Sequence, residues 1–174
     1  ILGRVVEVVS EETFGDYINR HIFTPLAMTH SYTDPVNTLP TNIASGYQYW
    51  FSIPRVSTLP YEDDRLPTAA LTASAVDLGH YLIALLNAGS YKGQRVLSAD
   101  STRTLFTPAA PSAEDFSYAM GWRVGPVNGM PAIHHGGILP DFRGKMVILP
   151  EHGYAVAVLT NSSSFIGFPT SHRM

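Results

Sequence analysis

The tetrapeptide His134-His135-Gly136-Gly137 concentrates the chemistry that this chain can offer. An imidazole takes or gives a proton near neutral pH. Paired glycines in a strand weaken it and mark a bulge or a close backbone approach. A ligand lying along such a strand can reach its N–H and C=O groups, as in strand addition. The residues alone leave a second reading open, a bulged strand with one buried and one exposed histidine. Adjacent strand residues point to opposite faces, so the two histidines are not expected to share an ion. His152 falls in a turn, and no acidic residue stands at ligand spacing. No metal site and no cofactor is expected. There is no Gly-x-Ser-x-Gly elbow and no Ser-x-x-Lys. Tyr17-Ile18-Asn19 matches Tyr-x-Asn only by letter, since it falls inside a predicted helix.

The elements that must position that tetrapeptide come in two blocks. Ile1, Leu2, Val5, Val6 and Val9 recur at helical spacing and predict one buried helix face. A second helix is expected from Glu12 or Thr13, burying Phe14, Ile18 and Ile22 and ending at Pro25. Thr29 to Arg65 has no clean period and is punctuated by prolines, which predicts a long connecting loop. Ser74 to Asn87 gives the clearest helix. Ser74 can cap it, Asp77 suits the dipole, Leu78, Tyr81, Leu82, Leu85 and Leu86 form a stripe, and Gly89 stops it. Ser98 caps a shorter helix carrying Leu105 and Phe106.

After Pro111 the period falls to two. Four strands are expected: Tyr118 to Val124, Met130 to Gly136, Phe142 to Leu149 and Tyr154 to Thr160, the last pair joined by a tight turn at Pro150 to Gly153. The last strand is apolar on both faces, which predicts a central, helix-covered position. Helices followed by a meander make an α+β fold with an antiparallel sheet of about four strands.

The chain of 174 residues is 45% hydrophobic, enough to build a core. Only 14% is charged, against roughly 25% in an ordinary soluble domain. That shortfall hints at a missing partner segment. With 11 basic and 14 acidic residues and no basic run, nucleic acid is not an expected partner. There is no cysteine, which excludes disulfides. No apolar run approaches the ~20 residues of a bilayer span. Opening at Ile1 inside a predicted helix, the chain reads as a fragment.

The order of short landmarks resembles the penicillin-recognising serine hydrolases, the β-lactamase-like family of class C β-lactamases, penicillin-binding proteins and related esterases. Ile1-Leu2-Gly3 with Val5, Val6 and Glu7 is similar to the family helix after its Tyr-Ser-Asn motif. Pro25-Leu26-Ala27-Met28, Ser45-Gly46-Tyr47, Pro67 to Leu78, Leu97-Ser98 and Met120-Gly121-Trp122 follow in order. His135-Gly136-Gly137, then Leu139-Pro140 and Phe142, aligns with the Lys-Thr-Gly strand, and Leu159-Thr160-Asn161 closes the domain.

The resemblance implies that residues 1–174 are the C-terminal part of one β-lactamase/transpeptidase-like domain. The nucleophilic serine, its lysine and the family tyrosine would precede Ile1. It implies acyl transfer through a serine ester on an ester, amide or β-lactam in the parent protein, with this segment inactive alone. His135 would replace the lysine of Lys-Thr-Gly, and the Ile138 N–H would be one oxyanion donor. His134, Gly136, Gly137 and Tyr47 would line the substrate. A non-catalytic module binding cell-wall peptides on the same fold is the alternative. Partners are then a small-molecule or peptide acyl substrate, together with self-association or the missing N-terminal half. An extracytoplasmic bacterial location is implied. Gly136 stands where the family has a hydroxyl residue, which weakens carboxylate recognition. Asp141 and Glu11 each replace a family glycine, and Thr68-Ala69-Ala70 replaces Ala-Gly-Gly. A left-handed backbone at Asp141 would be uncomfortable.

Overall fold

The computed structural model describes residues 1–33, 43–57, 66–111 and 116–162. In chain order these form α1 (Leu2–Ser10), α2 (Phe14–Ile18), a π-helical turn (Asn19–Phe23), β1 (Ser31–Tyr32), β2 (Tyr47–Trp50), β3 (Ile53–Val56), β4 (Thr72–Ala73) and α3 (Ala75–Leu86). Then come β5 (Ser90–Tyr91), β6 (Gln94–Arg95), α4 (Ala99–Leu105), β7 (Ala110–Pro111), β8 (Ser117–Tyr118), β9 (Arg123–Val127), β10 (Met130–Ile138), β11 (Arg143–Leu149) and β12 (Tyr154–Thr160). The fold is α+β. Two compact units result: residues 1–43 with 60–103, and residues 44–59 with 104–174.

The first unit is the helical one. Thr13 caps α2 by accepting from the Asp16 N–H at 3.1 Å, and Ser74 caps α3 by accepting from the Asp77 N–H at 3.1 Å. Its core is Ile18, Phe23, Leu26, Met28, Ala84 and Tyr91. Asp77 does more than face a dipole. It is buried, and one oxygen accepts from the His30 N–H at 2.7 Å and the Ser31 hydroxyl at 2.8 Å, tying α3 to β1. The expected apolar face of α1 is not buried. Leu2, Val5, Val8 and Val9 are exposed, while Gly3 packs under Pro67 and Glu7 accepts from the Phe14 N–H. Helical spacing finds the stripe but not what covers it.

The second unit carries a six-stranded antiparallel sheet in the order β12-β11-β10-β9-β8-β7. Three expectations need correction. The stretch Thr29 to Arg65 is not all loop, because it holds β1 and the β2–β3 hairpin. Tyr118 to Val124 is two strands, since Gly121 at φ 77° and the Ala119 N–H to Trp122 O bond (2.7 Å) turn the chain between β8 and β9. β12 pairs with β11 alone among the described strands and lies at the sheet edge, with Tyr154, Val156, Val158 and Leu159 exposed. The turn at Pro150–Gly153 folds β12 back outside β11, and position in a meander follows from the turns, not from hydrophobicity.

Candidate functional site

Register is set by Asn128-Gly129, a two-residue turn with φ of 49° and 78° at its two positions, the mirror-image form that fits strand twist. It pairs Val127 with Met130 and carries the ladder to Arg123 opposite His134. Arg123 in turn stands opposite Tyr118 on β8, so Tyr118, Arg123 and His134 form one row across three strands. The β9 pairing ends there. From His135 to Ile138, β10 pairs with β11 alone among the described residues, where Gly136 faces Lys145, Gly137 faces Gly144 and Ile138 faces Arg143.

This unpaired stretch is an open backbone edge among the described residues. The Leu139 N–H donates to Phe142 O at 2.8 Å and closes the β10–β11 turn. Antiparallel bonding alternates along a strand, so Leu139, Gly137 and His135 direct their backbone groups to β11. Gly136 and Ile138 direct theirs away, to the open side. Neither glycine is there for lack of room or for a left-handed turn. A Cβ on Gly136 would meet only Gly144 O at 3.5 Å, one on Gly137 would meet nothing within 4 Å, and neither has a positive φ. Gly136, Gly137 and Ile138 are all exposed. The result is a bare ledge whose free N–H and C=O groups recur every second residue.

The two histidines share a strand and differ in surroundings. His134 is buried and meets the Phe116 ring edge-on, with centroids 6.2 Å apart. Its pKa is lowered by burial first, then by Lys145, Arg123 and His135. His135 is half-buried. Its Nε2 lies 3.3 Å from the Tyr118 hydroxyl, and its pKa is lowered by burial and then by Arg123. The Arg123 guanidinium sits 4.8 Å over the Phe116 ring, which fixes the charge in place. Sequence reasoning missed Phe116, Tyr118 and Arg123. The Asn128-Gly129 turn was the available signal, since counting back from it places Arg123 opposite His134.

Tyr47 is not joined to the histidines by any hydrogen bond or ring contact among the described residues. Its N–H donates to Asn161 O at 2.9 Å, and the Asn161 side chain donates to Ser45 O at 2.8 Å. The loop so anchored brings Gly46 against the turn that ends the ledge. A Cβ on Gly46 would fall 2.5 Å from Asp141 Oδ2 and 2.8 Å from Phe142. Asp141 is buried, its Oδ1 has no hydrogen-bond partner among the described residues, and its φ is not positive. The feared left-handed strain is therefore absent there. Glu11 does take that conformation, at φ 59°.

Among the described residues, two open depressions are lined by residues other than those of the ledge. One of about 590 Å³ runs along Gln48, Trp50, Ile53 and Arg55 of the β2–β3 hairpin, and one of about 300 Å³ lies by Glu7, Phe14, Thr33 and Pro67. No group of three or more potential metal ligands comes together among the described residues.

Comparison with known proteins gives a consistent picture. The model of the Beta-lactamase family matches residues 1–173. The chain is 27% identical to protein flp of Staphylococcus aureus (strain N315) over 94% of this chain and 32% of that protein. It is 27% identical to penicillin-binding protein 4 of Amycolatopsis lactamdurans, over 98% of this chain and 47% of that one. The chain thus spans 32% to 47% of the length of these curated relatives. It superposes on the octameric penicillin-binding protein homologue from Pyrococcus abyssi with a TM-score of 0.76 and 26% identity, over 93% of this chain and 36% of that one.

Proposed function

Because the chain belongs to the beta-lactamase family, we propose that it supplies the His-Gly-Gly side of a serine acyl-transfer site acting on an ester, amide or β-lactam. The observation that carries this reading is the open edge at Gly136–Ile138, where nothing among the described residues requires the two glycines.

An acyl group laid along that edge meets the outward Ile138 N–H. A serine from outside this segment attacks the carbonyl carbon, and the developing oxyanion is held by that N–H and by the serine's own. His135, whose pKa is lowered by burial and then by Arg123, stands beside the bond being broken, where its ring can hydrogen-bond the reacting group. Gly136 offers no hydroxyl for a substrate carboxylate, which favours esters and amides over β-lactams. An extracytoplasmic setting, where cell-wall peptides are met, goes with this reading.

The test is hydrolysis of a chromogenic ester and a cephalosporin by the full-length protein. Turnover, stopped by a serine-directed covalent inhibitor whose adduct maps outside residues 1–174, is expected. Residues 1–174 alone should be inert. Inhibitor-sensitive turnover by that segment would overturn the assignment, as would a full-length protein that binds peptides and never turns over.

A further inference from the structure

His135 lies where it does because β10 places it there, but nothing in a strand fixes how an imidazole carries its proton. We propose that Tyr118 is a positioning residue for His135: its hydroxyl donates to Nε2 and holds the ring as the Nδ1–H tautomer.

Three observations meet here. The Tyr118 oxygen and His135 Nε2 are 3.3 Å apart, the long end of a hydrogen bond and a length that tightens readily once substrate excludes water. The rings meet edge-on, with centroids 6.3 Å apart and planes at 77°, so the imidazole is held in orientation as well as in place. The Tyr118 O–H has no other acceptor among the described residues, and His135 Nδ1 has no partner there either.

Direction follows from chemistry. A phenol O–H is the stronger donor of the two groups, and a neutral ring nitrogen without hydrogen is the better acceptor. The surroundings keep His135 neutral. Burial first, and then Arg123 on β9, disfavour a positive charge on it, His134 beside it is itself disfavoured from protonating, and Lys145 on β11 acts on His134 in the same sense. With Nε2 occupied as an acceptor, the ring's one proton sits on Nδ1, and Nδ1–H is the group left to donate to a ligand. The tautomer of a histidine is commonly set by the bond its other nitrogen makes. The catalytic consequence rests on the acyl-transfer reading above, whereas the hydrogen bond itself does not.

The test uses the full-length protein with ¹⁵N-labelled histidine at pH 7.5, with His135 signals identified by their loss in His135→Gln. In the native chain Nε2 should show the shift of an unprotonated nitrogen and Nδ1 that of a protonated one. In Tyr118→Phe, which keeps the ring, the two shifts should move toward each other. The titration midpoint of His135 should also rise, because a bond that only the neutral ring accepts is gone. A protonated Nε2 in the native chain overturns the proposal, and so do unchanged shifts in Tyr118→Phe. Should Tyr118→Phe lose its dispersed spectrum, the native assignment decides alone. Absent turnover in the full-length protein with a Tyr118-dependent tautomer would remove the acyl-transfer reading and support this one.

Discussion

Burial and the Arg123 guanidinium both favour the neutral form of His135, and burial does the same for His134. The folded state therefore holds these protons less tightly than the unfolded chain. Unfolding takes up protons when the pH lies between the lowered midpoints and the ordinary value of about 6.5. Stability should be complete above that value and fall as the pH drops toward the lowered midpoints. Thermal melting at pH 7.5 and 5.5 checks the sign, and replacing both histidines with glutamine should flatten the difference. A second expectation concerns Gly46. A methyl group there collides with Asp141 and Phe142, so Gly46→Ala should cost about 1–3 kcal/mol. Adding Asp141→Gly should recover part of that loss, and a double-mutant cycle by urea melting would measure the coupling.

At the scale of the element, α1 ends on Glu11 at φ 59°, with its N–H on Glu7 O at 2.9 Å. A side chain is uncomfortable in that left-handed conformation, and glycine is not. Glu11→Gly should raise stability by about 0.5–1 kcal/mol in denaturant melts. The contrast with Asp141 is instructive. Both replace a family glycine, and only coordinates separate the strained position from the relaxed one. The helices were readable from capping residues and stripes, because Thr13 and Ser74 act locally. His135-Gly136-Gly137 marks the stretch of β10 that has β11 as its one partner strand among the described residues. What covers α1, where β12 sits, and which side chains surround the histidines are decided by pairings between distant segments. Period and propensity do not encode these, although the Asn128-Gly129 turn does fix one register.

Over the whole molecule, apolar surface is left uncovered on both units. Leu2, Val5, Val8 and Val9 on α1 and Tyr154, Val156 and Val158 on the edge strand β12 are exposed. An apolar strand edge without a partner among the described residues invites another chain. The 174-residue chain should self-associate in light scattering, and lysines at Val156 and Val158 should reduce that association. A monodisperse monomer at micromolar concentration would argue against it. The most direct measurement addresses the ledge. In the full-length protein, Ile138→Pro removes the outward N–H without breaking a β10–β11 bond. Gly137→Pro removes an N–H directed to β11 and serves as the stability control. Ester turnover in Ile138→Pro should fall about 10²–10³-fold at a nearly unchanged melting temperature, while Gly137→Pro should lower the melting temperature. Undiminished turnover in Ile138→Pro would mean that no acyl group is held on that edge.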